Sequence, residues 1–119
     1  QDDMAIRQTS GAQIEAFQAG RHAMAFSYAS PALQDQFGTV DAFITMVQAH
    51  YRPVYRAQSF AFTGAAKPIA AHRNMRIQLV FITDETGTGH RARYFMQKQP
   101  DGSWKIAGCH LLSTPEIEI

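Results

Sequence analysis

The chain has 119 residues, 45% of them hydrophobic and 18% charged, the composition of one folded domain and not of a disordered or repetitive chain. Eleven Lys and Arg face ten Asp and Glu, a formal net charge of +1, which leaves no basic surplus for a nucleic-acid partner. The single cysteine, Cys109, excludes an internal disulfide and a zinc site made of thiolates alone.

The longest apolar stretches are strand-sized, so no membrane association is expected. The chain opens on Gln1-Asp2-Asp3 and not on Met. Removal of a signal peptide is one origin of such a start and a trimmed chain end is another. The location stays open on this reading, with a periplasmic or secreted one favoured over the cytoplasm.

Gln1 to Met4 is polar and expected to fray. Ile6, Ser10, Ile14 and Phe17 recur at helical spacing, which predicts a helix from Ile6 to Ala19 with Gly20 as its stop. A short second helix is expected within Arg21 to Ala29. Ser30-Pro31 supplies a cap followed by proline at the first helical position, opening a turn through Gln34 that Gly38 ends. Thr39 or Asp41 can cap a helix over Val40 to His50, whose stripe is Val40, Phe43, Ile44 and Val47. Arg52-Pro53 breaks it.

After Pro53 the period changes to that of strands. Val54 to Thr63 is β-compatible with Phe60 and Phe62 on one face, and Gly64 to Pro68 reads as a turn or irregular edge. Met75 to Thr83, His90 to Gln99 and Trp104 to Leu112 read as strands joined by turns at Asp84 to Gly89 and Pro100 to Ser103. The acidic and aliphatic tail, Glu116 to Ile119, reads as a short extension. Helices first and an antiparallel sheet after them make the class α+β, as one domain over residues 1–119 with its core about 5–115.

A symmetric closure of both turns assigns the two sheet faces. It pairs Leu79 with Tyr94, Ile77 with Met96 and Phe81 with Ala92, and Tyr94 with Cys109. One face is then nearly all apolar: Met75, Ile77, Leu79, Phe81, Ala92, Tyr94, Met96, Ala107, Cys109 and Leu111. The helices are its expected cover. The other face mixes Arg76, Gln78, Val80 and Ile82 with Arg93, Phe95, Trp104, Ile106 and His110. Arginine with aromatics is an interface composition. A homodimer through Arg93, Phe95, Trp104 and Ile106 is the expectation.

Charge divides along the chain as well. Residues 1–50 carry −3 and residues 51–115 carry +6. Compensation within one domain accounts for this, and an anion-binding or partner-binding sheet surface is the sharper reading.

Gln13-Ile14-Glu15-Ala16-Phe17-Gln18-Ala19-Gly20 resembles the first helix of the nuclear-transport-factor-2-like (NTF2-like) superfamily, and Asp101-Gly102-Ser103-Trp104-Lys105-Ile106 resembles its last hairpin. Four further stretches are similar to a bacterial family of unknown function within that group, DUF4864. They are Ala25 to Pro31, Gln36 to Thr39, Tyr51 to Arg56 and Gly108 to Leu112. The resemblance covers roughly residues 5–115. It implies a cone, a curved sheet wrapped around helices, often with a pocket and often dimeric through the sheet. Relatives on that fold, SnoaL-like proteins among them, include isomerases, cyclases, dehydratases and binding domains, so it implies no reaction.

The catalytic relatives place a carboxylate or imidazole base with hydroxyl donors inside the cone. Here Asp84, Glu85 and Asp101 fall in turns, and Asp35 and Asp41 lie near helix starts, where capping accounts for them. No catalytic residue is assigned. His22, His50, His72, His90 and His110 form no metal-ligand spacing. Adjacent strand positions point Cys109 and His110 to opposite faces, which is no dyad. Gly87 and Gly89 lie between strands and do not open a helix, so no phosphate loop is read there. No metal, cofactor or nucleic acid is expected.

Tyr51 and Met75 together with Tyr28, Tyr55, Arg56 and Tyr94 combine apolar bodies with hydrogen-bond donors, as ligand cavities do, and the last four are the expected ligand contacts. Arg56 can receive a carboxylate, which makes a small apolar acid the expected ligand. The sequence therefore reads as a non-catalytic, dimeric domain binding a small ligand or a partner. The alternative is an isomerase, dehydratase or cyclase type of enzyme, acting by general acid/base chemistry on a small apolar substrate.

Overall fold

The computed structural model describes residues 1–112. Five helices precede four strands: α1 (Asp2–Gln18), α2 (His22–Ser27), α3 (Pro31–Phe37), α4 (Val40–His50), α5 (Arg52–Tyr55), β1 (Ala57–Ile69), β2 (His72–Asp84), β3 (Gly89–Lys98) and β4 (Trp104–Leu112). The expected short extension at Glu116 to Ile119 lies outside the described residues.

Local chemistry sets the helix ends. The Ser30 hydroxyl accepts from Leu33 N at 3.2 Å ahead of Pro31, and the Thr39 hydroxyl accepts from Ala42 N at 3.1 Å. Each satisfies an amide that the first turn cannot pair. Gly38 closes α3 at a φ of 79°, a conformation that a side chain would strain. Arg52-Pro53 ends α4 as expected, and the same residues open the single turn of α5, because proline suits a first helical turn.

The expected cone is not formed. Every strand pairs only with its neighbours in sequence, in the order β1-β2-β3-β4, and all pairs are antiparallel. Nothing among the described residues joins β1 to β4, and the sheet neither curves round nor closes. It is an open meander. The helices bury Ile6, Ile14, Phe17, Phe43, Ile44 and Val47 against Val80, Ile82, Ala92, Tyr94, Met96, Trp104 and Ile106.

That core corrects the expected faces in two places. Thr83 pairs with Gly89, so an odd-numbered loop, Asp84 to Thr88, joins β2 to β3. Gln78, and not Leu79, therefore sits opposite Tyr94. One step of register turns a whole strand over. Gln78, Val80 and Ile82 face the helices, while Ile77, Leu79 and Phe81 face away. The second correction lies in β4. Phe95 pairs with Gly108 but Met96 pairs with Ile106, so Ala107 is an extra residue in the ladder. Trp104 and Ile106 are thereby turned inward, to 3% and 2% exposure. The bulge also frees the outer edge of Ile106, which bonds Tyr28 O and Ser30 N at 2.8 Å each.

A third irregularity lies at Gly64 to Ala66, within the stretch Gly64 to Pro68 expected as a turn or irregular edge. β1 continues through it with a register shift between Thr63 and Lys67. Side chains meet the backbone groups that leave the ladder there. Arg7 and the Gln78 amide donate to Gly64 O at 2.9 and 3.1 Å, and Asp3 accepts from Ala66 N at 3.2 Å. These bonds anchor α1 along β1 and offset the loss of ladder pairing. Gly11 stands where α1 runs close to β1, and an added Cβ there would just touch the Phe60 and Phe62 rings, at 3.4 Å from each.

Candidate functional site

The helices do not cover the whole inner face. A cleft of about 620 Å3 opens between α1, α3, α4, α5 and the β3–β4 pair. Its walls are Phe17 from α1, Leu33 and Phe37 from α3, Phe43, Met46 and Val47 from α4, and Val54 from α5. Its floor is Tyr94, Ile106, Gly108 and Cys109. Gln13, Gln36, His50, Tyr51 and His110 complete the lining, and no Lys, Arg, Asp or Glu of the described residues belongs to it.

Aromatic contacts fix the walls. Phe43 packs against Phe17, Phe26 and Phe37, with ring centroids 6.1, 5.2 and 5.5 Å apart. Such clusters hold their shape through edge and offset contacts as well as burial. The Gln13 amide nitrogen donates to Ala25 O at 3.2 Å and orients that side chain.

The floor is polar at one point. Tyr94 is fully buried, yet its hydroxyl finds no hydrogen-bond partner of good geometry. Cys109 stands directly opposite on β4, with its thiol beside that hydroxyl. Burial, and next the neighbouring thiol, pushes Tyr94 well above the ordinary phenol range. Burial also pushes the Cys109 thiol up to about 12, against a weaker opposing effect of the Tyr94 hydroxyl. Tyr51, half-buried at the rim, is raised by burial too. These groups stay protonated at neutral pH and act as neutral donors.

The four expected ligand residues do not converge. Tyr94 lies in the cleft. Tyr55 and Arg56 line a separate depression of about 540 Å3 beside Gln18 and Glu85. There Tyr55 Oη lies 2.9 Å from His22 Nε2, and the exposed Arg56 guanidinium stacks 5.6 Å above the Tyr55 ring. Tyr28 lines neither hollow, and its carbonyl instead accepts from Ile106 N. Of the four expected interface residues, Arg93 and Phe95 face away from the helices and Trp104 and Ile106 face the core.

Sequence reading missed the contribution of α3 and α4 to the cleft. The signal was present in the surplus of Phe37, Phe43 and Met46 on one side of these helices, more apolar surface than capping and core contact require. Among the described residues no three His, Cys, Asp or Glu side chains come together as a metal site, and no helix is long and apolar enough to cross a membrane.

No curated protein and no solved structure matches the chain. A family model described as a domain of unknown function, DUF4864, matches it over residues 1–119, and the chain belongs to that family.

Proposed function

We propose that the protein is a non-catalytic binding domain that holds a small apolar molecule in the cleft over Tyr94. The observation that carries this reading is the cleft itself, about 620 Å3 between the helices and the β3–β4 pair, walled by Phe17, Phe37, Phe43, Met46 and Val47 with no Lys, Arg, Asp or Glu of the described residues in its lining. The volume suits a small molecule, since such sites run about 300–1,000 Å3. A base placed for proton abstraction would favour the enzyme alternative, but no carboxylate of the described residues lines the cleft, His50 is exposed at its rim, and the His110 ring packs on Phe95 on the other face of the sheet. Titration calorimetry with small aromatic compounds tests the reading. Binding that Val47→Trp abolishes while the fold persists supports it, and binding indifferent to that substitution refutes it.

A second reading concerns the face that no helix covers, and it is that two copies associate there. Ile77, Leu79, Phe81 and Phe95 form an apolar stripe on it, with Arg91 and Arg93 alongside. Phe81 is 44% exposed. An apolar stripe at the middle of a face with charges beside it is an arrangement that a second copy can match. The mass in solution by light scattering tests it.

A further inference from the structure

We infer that the uncovered sheet face binds a multivalent oxyanion between two copies of the chain, held by Arg91 and Arg93 of each copy. The inference rests on the reading that two copies associate there, and it adds the ligand that joins them.

Register puts the two arginines inside the face and not at its rim. The outward pairs of β2 and β3 run from Met75 with Gln97 to Thr83 with Gly89, and the middle one is Leu79 with Arg93. Arg91 stands in the next pair, opposite Phe81. β1 and β4 flank these two strands on either side. A second copy that covers Leu79 and Phe81 therefore covers both arginines as well.

The face offers them no counter-ion. The four strands carry a single carboxylate, Asp84, at the end of β2. Asp84 lies 2.7 Å from His90, which the register puts on the helix side with Ile82. In the neighbouring turns Glu85 pairs with Arg52 at 3.1 Å, and Asp101 accepts from the Ser103 amide and hydroxyl. Among the described residues no carboxylate pairs with Arg91 or Arg93.

Two-fold association brings the same set up from the other side. Packed sheets stand about 10 Å apart, which is about the Debye length at 0.1 M salt, so the facing arginines repel with little screening and lose hydration as they are covered. The apolar stripe draws the copies together and the arginines oppose it. An anion between them removes the opposition. A guanidinium fork takes two oxygens of one oxyanion, and strand positions two apart stand about 7 Å from each other, which lets Arg91 and Arg93 close on one group from both sides. Sulfate and phosphate have this charge and these oxygens, and chloride has neither.

Sedimentation equilibrium of wild type and of Arg91→Gln/Arg93→Gln tests the inference, in sodium sulfate and in sodium chloride at equal ionic strength. Both arginines are exposed and form no bond among the described residues, so the variant keeps the fold. Sulfate also strengthens apolar burial through its exclusion from protein surfaces, and the variant measures that part alone. Wild type is expected to dimerise about tenfold more tightly in sulfate than in chloride, because a ligand of the dimer alone draws the equilibrium toward it. The variant is expected to dimerise in both salts with less than about a twofold difference. Glu116 and Glu118 lie outside the described residues, so a Glu116→Gln/Glu118→Gln protein is measured alongside and is expected to respond as wild type does. An equal sulfate effect in wild type and in the arginine variant overturns the anion site and leaves the dimer standing. Dimerisation that weakens with either salt does the same, since ion pairs then hold the copies together. A sulfate response seen only after Glu116→Gln/Glu118→Gln assigns the arginines to the chain's own carboxylates and overturns the anion. A single-chain mass for wild type and the arginine variant in every condition overturns both the site and the association beneath it.

Discussion

Trp104 Nε1 donates to Asp2 Oδ1 at 3.3 Å and so ties the first turn of α1 to the first residue of β4. Arg76 and Lys98 complete the cluster, 3.5 and 3.6 Å from the same carboxylate. Both cations also stand over the Trp104 ring, at 5.8 and 5.9 Å. The inward turn of Trp104 at the β4 bulge brings its indole within reach of Asp2.

The cluster predicts an acid-sensitive helix anchor. The Trp104 hydrogen bond, followed by the attraction of Lys98 and Arg76, holds Asp2 below the ordinary carboxylate range against the opposing cost of desolvation. A carboxyl group depressed in the folded state stabilises the fold above its unfolded value, about 4, and loses that contribution as pH falls through the folded value. Asp84 behaves alike, held low by Thr86 and then His90. Denaturant unfolding at pH 7 and pH 3 should show wild type losing stability in acid, and Asp2→Asn losing less. An identical loss in both proteins would assign the acid sensitivity to Asp84 and other groups.

Most elements were legible in the sequence because their signals are local. α4 and β4 fall on their expected residues, and Ser30, Thr39 and Gly38 act as the caps that they resemble. The pairing of Tyr94 with Cys109 was legible as well. The faces of β2 were not, since both are apolar. Ile77, Leu79 and Phe81 alternate with Gln78, Val80 and Ile82, and hydrophobicity alone prefers the wrong set. Gln78 enters the core because its amide reaches Gly64 O and Leu79 O, partners created by a bulge in another strand. The Ala107 bulge is equally non-local, its neighbour Ile106 being bonded by Tyr28 and Ser30 from the loop before α3. For the same reason Tyr94 was legible as a candidate, while its neighbours in the cleft from α3 and α4 were not.

Tyr94→Phe is predicted to leave the ligand-free protein as stable as wild type or to raise its stability by about 1 kcal/mol. An unsatisfied buried hydroxyl has lost its hydration without replacement, so removing it relieves a cost. The ring itself, fully buried between Gln78 and Cys109, is unchanged by the substitution. Urea denaturation is the check. A loss greater than about 1 kcal/mol would mean that the hydroxyl makes a stabilising bond in the folded protein.

Cys109 is predicted to be a slow thiol. It lines the cleft, so a small reagent can reach it, but a value of about 12 leaves very little thiolate at pH 8. Native labelling by maleimide should be on the order of a thousandfold slower than labelling in denaturant, and should accelerate tenfold per pH unit while the fold persists. Native and denatured rates that agree at pH 8 would show an ordinary exposed thiol. Cys109→Ala should cost about 1 kcal/mol through lost packing and leave assembly unchanged.

The uncovered sheet face yields the assembly prediction. Its outward stripe of Ile77, Leu79, Phe81 and Phe95 is set by the register, and the Phe81 ring lies across Gly89, where an added Cβ would overlap it. Phe95 is held on the same side by an edge contact with His110, 4.8 Å between centroids. Ten residues of β3 and nine of β4 set the width of the face. At about 3.4 Å per residue and 4.8 Å per strand, four strands cover roughly 600 Å2 in plan, before side-chain relief is added. That approaches the 800 Å2 or so that each partner contributes to a standard interface. Light scattering at micromolar concentration should therefore give twice the mass of one chain. Phe81→Asp should give a folded protein of single mass, because it replaces the most exposed ring of the stripe with a carboxylate that is solvated in the monomer and loses that hydration in the dimer. Trp104→Asp should behave differently, unfolding the chain, since Trp104 belongs to the core and not to this face. A wild-type mass of one chain at all concentrations, or a Phe81→Asp protein that keeps the doubled mass, would remove the dimer from this face.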